Sequence, residues 1–168
     1  MTRQRYTIQS PVTVSGIGIH SGAPVTVTVA PGDSGVQFYR SDCDTWVPVS
    51  PASISGANRA TALANQGARV TTPEHLLAAI WGCGITDITI KLNAEEVPIL
   101  DGSAWPWVQA IRESGRVSLP GQIDPLVIKT PIRLDSHGGQ LLILPDDQVR
   151  FTYILTHADT LVDTQLGQ

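Results

Sequence analysis

Two ionisable residues, Glu74 and His75, stand side by side at the start of the apolar segment TTPEHLLAAIWGCG. The apolar residues after them recur at helical spacing, and Pro73 suits the first position of a helix. Glu74 and His75 are therefore predicted to lie in the first turn of a helix that Gly82 and Gly84 bring to an end. The partial positive charge of a first helical turn favours a carboxylate and a neutral imidazole, which is the form of histidine that binds metals.

The residue that caps this helix is not decided by the sequence. If Pro73 is the first helical residue, Thr72 is the N-cap and its hydroxyl accepts a backbone N–H. In a second register, Thr71 is the cap and forms a capping box with Glu74. Both registers allow a purely structural interpretation, in which Glu74 stabilises the helix start and His75 is a surface residue.

A catalytic interpretation is also open, because Glu74 and His75 match part of a zinc site. Such a site has three protein ligands from histidine, aspartate or glutamate, an open position for water, and a nearby carboxylate as general base. At the start of a helix both side chains can reach over the same end. The pair could then supply one ligand and the base.

The other histidines give weaker signals. His20 lies between glycines in GIGIHSG, where a ligand could approach, and it is equally well explained as a turn residue. His137 is predicted at the exposed tip of a hairpin. His157 shares a strand face with Asp159 in THADTLVD, but this spacing matches no strong metal motif.

Composition limits the function classes. The chain has 168 residues and a formal net charge of −4, and its 11 lysines and arginines are scattered and outnumbered by 15 acidic residues, which argues against nucleic-acid binding. No signal sequence follows the polar start MTRQRYTIQS, and no apolar run approaches the roughly 20 residues that span a bilayer. We expect a cytoplasmic protein without stable membrane insertion, and two cysteines predict no disulfide framework.

The pattern of elements predicts an α+β domain over residues 1–119. Alternating segments at the start predict a hairpin-like pair of strands, and Ile88 to Leu92 is predicted as a strand after the Glu74–His75 helix. A second helix is expected after DGSA, with Ser103 as its cap and Gly115 as its end.

The remainder of the chain is predicted to begin a second domain. Residues 120–124, within RVSLPGQIDP, are predicted as a linker, and residues 125–168 as three strands of an incomplete α+β domain. These strands would expose an apolar sheet face without a covering helix, so we expect the chain to be truncated.

Three motifs together resemble UDP-3-O-acyl-N-acetylglucosamine deacetylase, the zinc enzyme of lipid A biosynthesis. They are GIGIHSG (16–22), TTPEHLLAAIWGCGITD (71–87) and EEVPILDGSAWPWVQAI (95–111), and they occur in the family's order and spacing. The resemblance covers residues 1 to about 120 well and the later strands loosely. It implies two related α+β domains, each a two-layer sheet-and-helix fold like domain 2 of ribosomal protein S5, with the active site between them.

The resemblance also implies roles for particular residues. His75 would be a zinc ligand, Glu74 the general base that activates the zinc-bound water, and His20 and Asp101 substrate-proximal residues. The family takes its other zinc ligands, a His and an Asp four residues apart, from the second domain, and this chain has no matching pair. The segment THADTLVD aligns with a family strand that binds no metal, so His157 is not expected to replace them.

We therefore expect a zinc-dependent hydrolase that removes the N-acetyl group from UDP-3-O-acyl-N-acetylglucosamine and releases acetate. This chain would be its N-terminal portion and inactive in isolation. The alternative is a complete, non-catalytic module that binds a sugar nucleotide or a protein partner.

Overall fold

The computed structural model describes residues 2–56, 60–136, 138–156 and 163–168. His137, His157 and Asp159 lie outside the described residues. The contacts within the chain divide it into two compact units, one that ends at Asp124 and one that begins at Pro125.

The first unit contains ten strands, two α-helices and a short 3₁₀ turn among its described residues. In chain order they are β1 (Arg3–Ile8), β2 (Val12–Ile17), β3 (Pro24–Pro31), β4 (Val36–Arg40), β5 (Thr45–Pro48), the 3₁₀ turn (Pro51–Ser53), β6 (Ile54–Gly56), β7 (Ala62–Asn65), β8 (Ala68–Thr71), α1 (Glu74–Gly82), β9 (Ile88–Leu92), α2 (Trp105–Ser114) and β10 (Arg116–Ile123).

A five-stranded sheet in the order β2-β3-β9-β4-β5 forms one layer of the unit. Its pairs are antiparallel except β4 with β9, and the predicted hairpin-like pair is confirmed by the pairing of β2 with β3. Ile88, Ile90 and Leu92 of β9 are fully buried, in a core that also contains Leu76 of α1 and Trp107 of α2. One sheet face is therefore covered by the helices, and the unit has an α+β fold.

Strand β10 corrects the prediction of a linker at residues 120–124. Residues 120–123 belong to β10, which pairs antiparallel with β1 from Arg116 opposite Ile8 to Ile123 opposite Arg3. Pro120 and Gly121 suggested a linker, but the ladder accommodates them at a register shift opposite β1.

The second helix follows the prediction closely. The hydroxyl of Ser103 accepts the N–H of Trp105 at 3.1 Å, although Ala104 occupies the N-cap position. Gly115 ends the helix with a φ of 77°, a backbone conformation that glycine adopts without steric cost.

The second unit contains four strands among its described residues, where the sequence predicted three. They are β11 (Ile132–Ser136), β12 (Gly139–Ile143), β13 (Tyr153–Thr156) and β14 (Thr164–Gly167), and they form two separate antiparallel hairpins. The segment 125–131, predicted as the start of a strand, has no strand. Leu126, Ile154 and Leu166 are more than 70% exposed. In the described part of the chain, no helix is long and apolar enough to cross a membrane.

Candidate functional site

The backbone just before α1 has an unusual conformation. Thr72 has a φ of 56°, which is rare for a β-branched residue, and its side chain is buried. Its N–H donates to the carbonyl of Thr61 at 3.1 Å, and its hydroxyl donates to Glu96 Oε1 at 3.2 Å. Pro73 occupies the N-cap position without a side-chain hydrogen bond, so the prediction of Thr72 as the cap was wrong, because Glu96 takes its hydroxyl.

Glu74 is not part of a capping box either. Its Oε1 accepts the backbone N–H of Thr61, which precedes β7, while Thr71 bonds through its backbone to Glu95 and Val97. Its Oε2 is buried and has no hydrogen-bond partner among the described residues. Since buried polar atoms normally have a hydrogen-bond partner, this oxygen is a candidate acceptor for a further donor.

His75 follows in the same helical turn and is partly exposed. The pKa of Asp101 lies below its ordinary value, and an electrostatic interaction with His75 is the smallest of the causes. The larger causes of that low pKa are the backbone N–H and hydroxyl of Ser103, which donate to Asp101 Oδ1 at 2.9 and 2.8 Å. Asp101 is therefore an anion at neutral pH.

His20 lies in the exposed turn between β2 and β3, and Glu96 fixes its backbone. The N–H groups of His20 and Ser21 donate to the two carboxylate oxygens of Glu96 at 2.9 and 2.7 Å. Burial of Glu96, which is 4% exposed, acts to raise its pKa, but the hydrogen bonds from Ser21, His20 and Thr72 hold that pKa below its ordinary value. Glu96 is thus a buried anion at neutral pH.

The sequence prediction missed Glu96. The available signal was the pair Glu95–Glu96 before the apolar VPIL, because in an extended segment successive side chains point to opposite sides. One of two adjacent carboxylates then faces inward. Glu95 is the outward one, and it forms an exposed ion pair with Arg69 at 3.7 Å.

A cavity of about 650 Å³ opens beside Glu96. It has the size of a small-molecule site. Its described lining includes Ala60 and Ala62, which flank the Thr61 N–H that binds Glu74, and also His20, Arg69 and Thr71. The cavity therefore adjoins the residues that hold the start of α1.

The metal-binding capacity of the described residues is limited. No group of three or more histidine, cysteine, aspartate and glutamate side chains that could hold a metal ion occurs in the described ranges. His75, which follows Glu74 in the first turn of α1, could supply one ligand of a larger set.

The structure describes an α+β protein with Glu74 and His75 in the first turn of a helix. The family model for UDP-3-O-acyl N-acetylglycosamine deacetylase matches residues 5–168, nearly the whole chain. The chain belongs to the UDP-3-O-acyl-N-acetylglucosamine deacetylase family.

Individual relatives give the same result. The chain is 38% identical over 149 residues to the UDP-3-O-acyl-N-acetylglucosamine deacetylase of Solibacter usitatus, a match over 87% of this chain and 50% of the relative. It is 38% identical over 154 residues to the deacetylase of Leptospira biflexa (89% and 51%) and 35% identical over 165 residues to that of Geotalea uraniireducens (95% and 53%). The chain spans about half the length of the curated relatives it matches.

Proposed function

We propose that the whole protein is a zinc-dependent amide hydrolase that removes the N-acetyl group from UDP-3-O-acyl-N-acetylglucosamine and releases acetate. By the whole protein we mean this chain together with a segment that completes the length of its relatives. The observation that carries the proposal is the buried Oε2 of Glu74, which has no hydrogen-bond partner in the part of the chain that the structure describes and lies next to His75 in the first turn of α1. The relatives, which bear the name of this deacetylase, supply the reaction and the substrate.

Glu74 is proposed as the general base. The Thr61 N–H holds Oε1, so Oε2 is left to accept a proton from the attacking water. The water oxygen adds to the acetyl carbonyl carbon as Glu74 takes a proton from the water, the C–N bond breaks, and the leaving nitrogen gains a proton in place of the one that Glu74 accepted as acetate forms. The first turn of a helix favours the ionised carboxylate that this role requires.

The residues present fit one part of a zinc site. His75 would hold the ion as one of the three protein ligands typical of catalytic zinc, and the whole protein would supply the others. A bound zinc ion supplies Lewis-acid chemistry at the acetyl carbonyl.

The substrate is proposed to lie against His20 and Asp101, with the cavity beside Glu96 taking part of it. Arg69 in the cavity wall could face an anionic group of a sugar nucleotide. The net charge of −4 supports a small-molecule substrate rather than a nucleic acid, and we propose that the protein acts in the cytoplasm without stable membrane insertion.

The domain organisation is proposed from the same relationship. The sheet with two helices on one face would be of the ribosomal S5 domain 2 type, and residues 125–168 would begin a second, related α+β domain. The exposed apolar strands of the second unit support this proposal, since such side chains are usually covered by further structure.

The test is acetate release by the whole protein from UDP-3-O-acyl-N-acetylglucosamine, with bound zinc measured on the same samples. We expect acetate and about one zinc ion per site, and we expect His75→Ala to lose both. Glu113→Gln, an exposed change on α2, should keep both. Binding of the sugar nucleotide without acetate release would instead support the non-catalytic module.

A further inference from the structure

The carboxylate of Glu96 receives donors from two segments that are far apart in the chain. His20 and Ser21 donate from the turn between β2 and β3, and Thr72 donates from the residue before Pro73 and α1. The backbone of Glu96 is itself held, because Thr71 pairs with it in an isolated parallel bridge. A single side chain therefore joins the His20 turn to the start of α1.

The turn is built closely around this carboxylate. A Cβ atom on Gly18 would lie 2.2 Å from Glu96 Oε2 and 2.4 Å from Ser21 Oγ, which is closer than atoms can approach. Two backbone hydrogen bonds of 3.0 Å close the turn, from Gly18 N–H to Ala23 and from Gly22 N–H to Gly18. Because the His20 side chain is exposed, its position depends on this backbone rather than on side-chain packing.

We propose that Glu96 is a positioning residue that fixes His20 relative to Glu74 and His75. A buried carboxylate is a costly way to hold a turn, since its desolvation must be offset by hydrogen bonds. The carboxylate fixes the orientation of the turn, because each of its oxygens accepts a hydrogen bond from a different backbone N–H and Oε1 also accepts the Thr72 hydroxyl. The hydrogen-bond geometry stands on its own, whereas the effect of Glu96 on catalysis rests on the proposed function.

The geometry is tested by NMR on the 168-residue chain. We expect through-hydrogen-bond couplings from the His20 and Ser21 amide nitrogens to the Glu96 carboxyl carbon in the unmodified protein. Their absence would overturn the proposal, whether or not variants fold.

A variant provides a second test of the geometry. Glu96→Gln keeps one acceptor oxygen but places an NH₂ against the other donor, so amide exchange at His20 or Ser21 should accelerate about 10-fold or more. Glu95→Gln, which changes the neighbouring exposed carboxylate, should leave both amides unchanged. Unchanged protection in a folded Glu96→Gln protein would overturn the proposal.

The positioning role is tested by a double-mutant cycle on acetate release by the whole protein. Glu96→Gln should lower kcat/KM about 10- to 100-fold, the cost of a misplaced site group, but less than about 3-fold when His20 is already alanine. An equal loss in both backgrounds, or a His20→Ala protein with unchanged kcat/KM, would overturn the role. Glu113→Gln serves as the neutral control. If the unmodified whole protein releases no acetate, the proposed function fails, and the couplings and exchange rates still decide the geometry.

Discussion

Glu74 differs from an ordinary helix-capping glutamate in where its hydrogen bond comes from. The donor is the backbone N–H of Thr61, a residue outside α1. The carbonyl of Thr61 in turn accepts the N–H of Thr72. The strained backbone of Thr72 is thus fixed by Thr61 on one side and by Glu96 on the other. Such strain is often found at functional sites, where the surrounding structure enforces it.

Gly18→Ala tests how closely the turn surrounds Glu96. The added methyl group should displace the carboxylate and lower the free energy of unfolding by about 2–3 kcal/mol through overpacking. Urea denaturation followed by tryptophan fluorescence would measure this, since all four tryptophans lie in the first unit.

Gly82→Ala is the matched control for this prediction. A Cβ atom on Gly82, in α1, meets nothing within 4 Å. This variant should be neutral or stabilised by up to about 1 kcal/mol, because alanine is the better helix former. Equal stability of the two variants would show that the turn has more space than the structure describes.

The sequence predicted the positions of some of these residues but not their hydrogen-bond partners. The placement of Glu74 and His75 in a first helical turn was predictable, because it depends on local spacing and on Pro73. The partner of the Thr72 hydroxyl was not, because Glu96 lies 24 residues away in sequence. A hydroxyl residue before a helix is predicted to be its N-cap, but in the folded chain the hydroxyl can instead donate to a carboxylate that is distant in sequence.

Asp87 joins several elements of the first unit. It accepts hydrogen bonds from Arg5 Nε of β1 at 3.2 Å and from the N–H of Gly35 at 2.8 Å, and Arg5 also donates to the carbonyl of Pro120 in β10. Burial acts to raise the pKa of Asp87, but the hydrogen bonds from Arg5, Thr86 and Gly35 hold it below its ordinary value of 3.8.

The low pKa predicts how stability depends on pH. Because the folded-state pKa lies below the unfolded one, Asp87 stabilises the protein above about pH 4, and this contribution disappears as the pH falls through the folded-state pKa. Asp87→Asn should therefore cost about 2 kcal/mol at pH 7 and clearly less at pH 3.

Denaturation curves of Asp87→Asn and of the unmodified protein at pH 7 and pH 3 measure the loss of unfolding free energy at each pH. Glu95→Gln, which removes only an exposed ion pair, should change stability by less than about 1 kcal/mol at both. An Asp87→Asn penalty that is the same at pH 3 and pH 7 would contradict the linkage.

Elements were predictable where their signals are local. Strand β9 alternates buried and less buried side chains, and α2 has Ser103 before it and Gly115 after it, so both were found from the sequence. Strand β10 was not found, because its partner β1 lies more than 100 residues earlier and its Pro120 and Gly121 resemble a linker. Only the long-range pairing identifies it as a strand.

The division of the whole chain into two units predicts where a protease cuts first. Lys129 lies in a segment without strand or helix, whereas the exposed Arg116 belongs to β10 and is paired with Ile8. Brief trypsin digestion should therefore cleave after Lys129 and leave a stable fragment that contains β10. Mass spectrometry would identify the products, and initial cleavage after Arg116 would show that β10 does not belong to the stable unit.

The central claim is that Glu74 is the base of an amide hydrolase, and it is tested most directly by Glu74→Gln in the whole protein. The amide still accepts the Thr61 N–H but cannot take a proton, so turnover of UDP-3-O-acyl-N-acetylglucosamine should fall about 10²- to 10⁴-fold while zinc remains bound. The measurement is kcat for acetate release, with the zinc content of each sample. A Glu74→Gln protein with unchanged kcat would contradict the assignment.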